Sequence, residues 1–154
     1  GCGTGLISEQ LRPWARNLTG IDLSPEMIEH ARRRGFYDLL EVAEITEWVG
    51  RDSELAFDLI VACDTFIYFG DLSQVIRPVA ARLVPGGILA FTVEKGNHDR
   101  AFKLADSGRY THTVDYISLV ANDARLRLSR LSTEVLRYEY GEPVEGLLAV
   151  LSRS

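Results

Sequence analysis

Cysteine is scarce in this chain: among 154 residues only Cys2 and Cys63 carry thiols. Two thiols so far apart form neither a disulfide framework nor a metal-ligand spacing, which excludes stapled mini-domains and zinc modules. Low cysteine usage fits a reducing compartment, and a cytoplasmic location is expected. Long apolar runs are missing as well. The longest uncharged apolar stretch, around Gly86 to Val93, is far short of the roughly 20 residues a spanning helix needs, so no membrane partner is expected. Positive charge is in deficit, with 17 Lys and Arg against 22 Asp and Glu and a net charge of −5. Nucleic-acid binding held by phosphate contacts calls for clustered cations, so no nucleic-acid partner is expected either. What remains is a chain with 46% hydrophobic and 25% charged residues, without repeats or linkers, which is the composition of one globular domain.

The chain also opens without an initiating Met and with no strand ahead of its first motif. Gly1-Cys2-Gly3-Thr4-Gly5 runs straight into Leu6, Ile7, Leu11 and Trp14 at helical spacing, the pattern of a glycine-rich turn that opens a helix reaching Ala15 to Asn17. Glycine has no Cβ, so a ligand can approach the backbone and φ can turn positive. Such a turn normally follows a buried strand. The sequence is therefore expected to begin inside a larger protein whose upstream region supplies that first strand.

The remaining elements follow in alternation. Leu18 to Leu23 reads as a buried strand, closed by Ser24 as N-cap, Pro25 at the first helical position and Glu26 in the first turn. That helix turns Met27, Ile28 and Ala31 inward, carries Arg32, Arg33 and Arg34 as a solvated last turn, and stops at Gly35. Leu39 to Ala43 forms a short strand ending at Glu44, Ile45 to Val49 a brief helix, and Gly50 to Leu55 a polar turn. Phe57 to Ala62 is a near-continuous apolar strand. Leu72 to Leu83 repeats apolar residues at helical spacing around Pro78, and Pro85-Gly86-Gly87 turns into the strand Ile88 to Glu94. Alternation of this kind defines an α/β domain, Rossmann-like and doubly wound, with a mostly parallel sheet. The last third differs: Lys95 to Thr111 is a long polar loop, Val114 to Ala124 a helix, and Leu126 to Arg137 with Val144 to Leu151 an antiparallel hairpin at the sheet edge.

Over essentially its whole length this pattern resembles the class I S-adenosylmethionine-dependent methyltransferases, of the type 11/12-like kind. Gly1-Cys2-Gly3-Thr4-Gly5 matches that family's glycine-rich loop. Gly20-Ile21-Asp22-Leu23-Ser24-Pro25-Glu26-Met27 is similar to its second-strand motif, Phe57-Asp58-Leu59-Ile60 to its fourth strand, and Leu83-Val84-Pro85-Gly86-Gly87 to the turn before its fifth. Ser107 to His112 and Gly141 to Val144 look like a bacterial small-molecule subgroup sometimes fused to tetratricopeptide repeats. The resemblance implies one methyltransferase domain over 1–154, lacking its first strand, that uses S-adenosylmethionine, leaves S-adenosylhomocysteine and acts on a small-molecule acceptor.

It also implies a cofactor site. Gly1, Cys2, Gly3, Thr4 and Gly5 would receive the methionine carboxylate on backbone N–H groups, helped by the helix dipole. Asp22 would accept the ribose hydroxyls, with Leu23 and Met27 walling the adenine. Glu44, flanked by Ala43 and Ile45, stands where the family has an acid reading the adenine amino group, and more often Asp. Cys63 and Asp64 follow the fourth strand, where the Cys63 backbone would meet the methionine amino group. Tyr68 would face the transferring methyl. A general base is needed only for an acceptor protonated at working pH, and His98, Tyr110 and His112 are the candidates.

Two rivals remain. A dinucleotide-dependent oxidoreductase shares the turn and the acid, but its G-x-G-x-x-G fingerprint would need glycine where Leu6 stands. A methyltransferase-like module that binds cofactor without turnover fits every glycine and Asp22. As for the upstream strand, burying about five apolar side chains contributes on the order of 10 kcal/mol, comparable to a whole domain's stability. Residues 1–154 alone are therefore expected to unfold at low denaturant with poor cooperativity. A sharp transition of ordinary midpoint would sink that expectation.

Overall fold

The computed structural model describes residues 1–51 and 54–154. Part of the expected polar turn over Gly50 to Leu55, namely Asp52 and Ser53, lies outside the described residues. The chain divides into two compact units, Gly1–Arg51 and Asp52–Ser154.

In the first unit, α1 covers only Ser8–Leu11 and passes into a 3-10 turn at Arg12–Trp14. Pro13 has no N–H and crowds the residue before it, which ends the α-helical ladder short of the expected Ala15. β1 (Thr19–Asp22) lies parallel to β2 (Leu39–Val42), with Thr19 opposite Leu39 and Asp22 opposite Val42. The crossover between them is α2 (Pro25–Arg34), and its ends follow local chemistry. Ser24 Oγ accepts the Met27 N–H at 3.3 Å, and Gly35 takes a left-handed φ of 73° that closes the helix. Ile28 and Ala31 are buried. α3 (Ile45–Gly50) follows, capped by Glu44.

The second unit is a six-stranded mixed sheet. β3 (Phe57–Ala62) runs parallel to β4 (Leu83–Lys95), joined by a 3-10 turn at Phe66–Tyr68 and by α4 (Ser73–Ala81), which buries Val75, Ile76, Val79 and Ala80. Pro78 sits inside α4 without ending it. Strand β4 begins earlier than expected. Pro85-Gly86-Gly87 is a kink within it, where the register slips between Phe57 opposite Leu83 and Leu59 opposite Ile88. A Cβ at Gly87 would lie 2.8 Å from Val84 O and 3.0 Å from Phe57 O, so the slip requires glycine there.

The segment expected as a long loop holds a small hairpin instead, β5 (Phe102–Leu104) with β6 (Tyr110–His112), and β6 pairs in parallel with the end of β4. Strands of three residues are too short for a period-two signal, which is why the sequence reads as loop. After α5 (Val114–Asp123), β7 (Leu126–Glu139) and β8 (Glu142–Arg153) form the expected terminal hairpin. β8 lies antiparallel to β4, and β7 takes the edge. Phe66 and Phe91, centroids 5.2 Å apart, centre a core with Ile67, Leu72, Leu89, Ile117, Leu147 and Leu151.

β7 carries two irregularities, between Leu128 and Arg130 and between Val135 and Arg137. At the second, Leu136 packs over Gly146 of β8, where an added Cβ would collide with the Leu136 side chain and lie 2.6 Å from Val93 O. Backbone oxygen cannot yield as a side chain can. Gly146→Ala is therefore expected to cost about 1–3 kcal/mol of stability by overpacking. Chemical denaturation measures it, and an unchanged midpoint would contradict the account.

Candidate active site

In the first unit the site is built on the glycine turn. Gly3 and Gly5 have positive φ, 54° and 77°. A Cβ on Gly5 would meet Tyr37 Cε2 at 3.1 Å and Ala31 Cβ at 3.2 Å, whereas one on Gly3 would meet nothing within 4 Å. Gly5 is thus needed for packing and Gly3 for backbone shape, with open space beside it. The Cys2 N–H donates to Ile21 O at 2.7 Å, and the Gly3 N–H donates to Asp22 Oδ2 at 2.8 Å. Asp22 Oδ1 accepts the Ser24 N–H at 3.0 Å. A carboxylate offers about four acceptor positions, so both oxygens keep lone pairs. The N–H groups of Thr4 and Leu6 take no partner among the described residues. α1 is a single turn, too short for the dipole expected of it, and these two N–H groups are what the turn offers an anion.

Around Asp22, Leu23 is 70% exposed and Met27 half-buried on the first turn of α2. The Ala43 N–H donates to Asp22 O at 2.9 Å. Glu44 is occupied: its Oε2 accepts the Glu47 N–H at 2.8 Å and the Thr46 hydroxyl, which makes it the N-cap of α3 ahead of Ile45. Burial works to raise its pKa, but those donors outweigh burial and hold the carboxyl below its ordinary range. The Cys2 thiol is pushed up by burial, and burial, with Cys2 beside it, raises the Tyr37 phenol to about 12. Neither is primed as a nucleophile. Of the basic triplet, Arg32 and Arg33 pair with Glu29, while Arg34 Nε donates to Thr4 O at 2.7 Å and so braces the turn.

In the second unit, Cys63 and Asp64 follow β3 directly, at the carboxyl ends of the strands. Asp64 has a positive φ of 49°, and its N–H donates to Thr92 Oγ1 at 3.0 Å. Cys63 O accepts the Thr65 hydroxyl at 3.0 Å, and burial raises the Cys63 thiol. Tyr68 is 65% exposed. Tyr110 lies edge-on to Phe102, centroids 6.1 Å apart. His112 is wholly buried and stacks on Tyr116 at 5.9 Å; its Nε2–H donates to Phe69 O at 2.9 Å and Gly70 O at 3.0 Å, while Nδ1 has no partner among the described residues. Beside it the Tyr116 hydroxyl donates to Asp71 Oδ1 and accepts the Leu72 N–H, both at 2.9 Å. His98 has both ring nitrogens engaged, with Arg100 O at 2.9 Å and Thr111 Oγ1 at 3.0 Å. It lines an open cavity of about 540 Å³ with Lys95, Asn97, Asp99, Thr113 and Asp115.

One cluster escaped the sequence reading. Arg109 Nε donates to Glu94 Oε1 at 2.7 Å and its Nη2 to both Glu139 oxygens at 2.7 Å. Arg137 donates to Glu139 Oε1 at 2.7 Å, to Asp64 Oδ1 at 3.2 Å and to Glu94. Glu94 is only 7% exposed. Burial works against the Arg137 charge, but Glu139, Glu94 and Asp64 outweigh it and raise its pKa. The Arg137 hydrogen bond and then Arg109 hold Glu139 below the usual carboxylate range. The only trace in the sequence is an acid at the end of an apolar strand.

A glycine turn tied to an acid at the tip of a parallel strand in the first unit, and a terminal antiparallel hairpin in the second, fit the S-adenosylmethionine-dependent methyltransferase class that the sequence resembles. Residues 1–89 match the family described as Methyltransferase domain, and the chain belongs to that family. It is 38% identical to nodulation protein S of Rhizobium tropici, over 59% of this chain and 40% of that protein. It is 31% identical to a ubiquinone biosynthesis O-methyltransferase of Xanthomonas euvesicatoria, over 100% of this chain and 70% of that protein. The chain thus spans part of the length of these curated relatives. Among solved structures, a methyltransferase from Methanosarcina mazei superposes with a TM-score of 0.75 at 19% identity, covering 99% of this chain and 89% of that one. N-methyltransferase NodS from Bradyrhizobium japonicum gives 0.73 at 22%, covering 99% and 82%. At such identities these structures speak for the fold. Among the described residues no helix is long and apolar enough to cross a membrane, which says nothing of β-barrels.

Burial of His112 has a measurable consequence. Desolvation lowers its pKa below the ordinary 6.5, and the Gly70 and Phe69 carbonyls only partly offset this. The unfolded chain therefore binds a proton that the folded chain resists. Its contribution to stability is complete above about pH 6.5 and is lost as pH falls from there toward the depressed folded value. Unfolding free energy is expected to drop between pH 7.5 and 5.5, and His112→Gln to flatten that slope. An equal slope in the variant would contradict this.

Proposed function

We propose that the protein transfers the methyl group of S-adenosylmethionine to a nucleophilic atom of a small-molecule acceptor. The observation that carries this reading is the Asp22 carboxylate, which orders the glycine turn and keeps lone pairs on both oxygens. In this reading Asp22 holds the ribose hydroxyls, and the unpartnered N–H groups of Thr4 and Leu6, at the end of the Gly1 to Gly5 turn, take the methionine carboxylate. Leu23, Met27, Ala43 and Ile45 flank the adenine. Glu44 serves chiefly as a helix cap, and the adenine amino group meets whatever acceptor capacity its carboxylate retains. Cys63 O, with one lone pair already used by Thr65, offers the other to the methionine amino group.

When bound, the cofactor supplies a methyl already activated by the sulfonium charge. The chain's own contribution is positioning, which can be worth about 7–11 kcal/mol. We assign exposed Tyr68 to orienting the acceptor, with Tyr110 as the second candidate. The burial of His112 supports a role in holding the Phe69–Gly70 backbone in place of proton transfer. Relatives whose names specify oxygen and nitrogen methylation support a small acceptor, with phenols and amines as the first classes to try. Two thiols, Cys2 and Cys63, neither in a disulfide, fit a reducing, cytoplasmic setting.

Calorimetric titration tests the reading. S-adenosylmethionine and S-adenosylhomocysteine are expected to bind, and Asp22→Ala to weaken both by at least about tenfold, the worth of hydrogen bonds to a charged group. Selective binding of NAD would overturn the reading. Binding without methyl transfer to any phenol or amine would favour the non-catalytic module.

A further inference from the structure

The sheet end that carries Cys63 and Asp64 also carries the ion network built around buried Glu94 from half-buried Arg109, Arg137 and Glu139, and nothing in the proposed chemistry uses it. Asp64 is unusual in its own right. It is an L-residue with a φ of 49°, a conformation that persists where the surroundings over-determine it. Two contacts do so. Thr92 Oγ1 holds its backbone N–H at 3.0 Å, and Arg137 Nη1 holds its carboxylate at 3.2 Å. Arg137 comes from the far end of β7, 73 positions along the chain, and reaches Asp64 from the strand irregularity at Leu136. An extra residue in one strand re-aims the side chains that follow it. Packing of Leu136 into the space that Gly146 leaves fixes this aim. Glu94 and Glu139 hold the rest of the guanidinium, so Arg137 is itself rigid. Arg109 shares those two acids at the same 21% side-chain exposure, but no contact joins it to Asp64.

We propose that Arg137 is a positioning residue for the methyl donor: by gripping Asp64 it sets the left-handed backbone after β3 and so aims the Cys63 carbonyl at the donor's amino group. The inference rests on the methyltransferase reading above and adds to it a residue that touches no ligand. Its worth is set by the backbone preference it overcomes. Without the grip, residue 64 relaxes toward negative φ, and the donor must restore the bend on binding, a cost of about tenfold in affinity.

The test is a set of variants of the full-length protein, read by calorimetric affinity for S-adenosylhomocysteine and by thermal midpoint. Arg137→Gln is expected to weaken binding about tenfold. Arg109→Gln removes as many charge pairs with Glu94 and Glu139 but leaves Asp64 gripped, and is expected to lower the midpoint by a similar amount with less than a twofold change in affinity. The decisive comparison is made in an Asp64→Gly background. Glycine takes positive φ unaided, so Arg137→Gln added there is expected to cost less than twofold. Equal losses from the two arginine variants, or a tenfold loss that persists with glycine at 64, would overturn the inference while leaving the methyltransferase reading in place. Failure of the unaltered protein to bind either form of the cofactor would overturn both.

Discussion

One carboxylate gives the first unit its functional shape. Asp22 is the last residue of β1, and its two oxygens accept N–H groups from the glycine turn before the strand and from the start of α2 after it. Its main-chain oxygen accepts a third, from Ala43 beyond β2. Three stretches, the glycine turn, the corner between β1 and α2 and the end of β2, are thereby fixed around one residue. Each bond made to an ionised acceptor is worth more than a neutral one, by roughly a factor of two. The glycines serve this arrangement: positive φ at Gly3 and close packing at Gly5 shape the turn that brings the Gly3 N–H to that carboxylate.

The second unit meets the same need by different means. Its functional end is held by side chains that cross the sheet, with Glu94 at the end of β4, Arg109 ahead of β6 and Arg137 on the edge strand. A partly exposed ion network of this kind is weak evidence for stability, since desolvation of Glu94 and solvent screening of the other members offset much of the attraction. Geometry is its better-supported use. The neighbouring contacts from His112 to the Phe69–Gly70 backbone, and from Tyr116 to Asp71 and Leu72, pin the segment that carries Tyr68.

What could be read from the sequence is what local chemistry decides. Ser24, Pro25 and Gly35 bound α2 where capping rules place its ends, and the apolar run Phe57 to Ala62 is β3 to the residue. The terminal hairpin was legible because its strands are long enough to show their pattern. The hairpin of β5 and β6 was not, being three residues a side and dependent on the end of β4 for company. The short α1 reflects Pro13 outweighing an apolar period. Glu44 as a helix cap, Arg34 as a brace on Thr4 and above all Arg137 on Asp64 are contacts between distant positions, on which spacing along a chain is silent.

The irregularity at Leu136 has a second consequence. β7 is an edge strand of 14 residues, and a flat edge of that length would present a row of unpaired N–H and C=O groups to any other extended chain. Two breaks in its register leave only short regular stretches between them, and Arg127, Arg130 and Glu134 stand exposed along it. Broken register and outward charge are the features that keep a sheet from recruiting another strand. The same bend that aims a guanidinium inward thus guards the molecule's open flank against fibrous self-association.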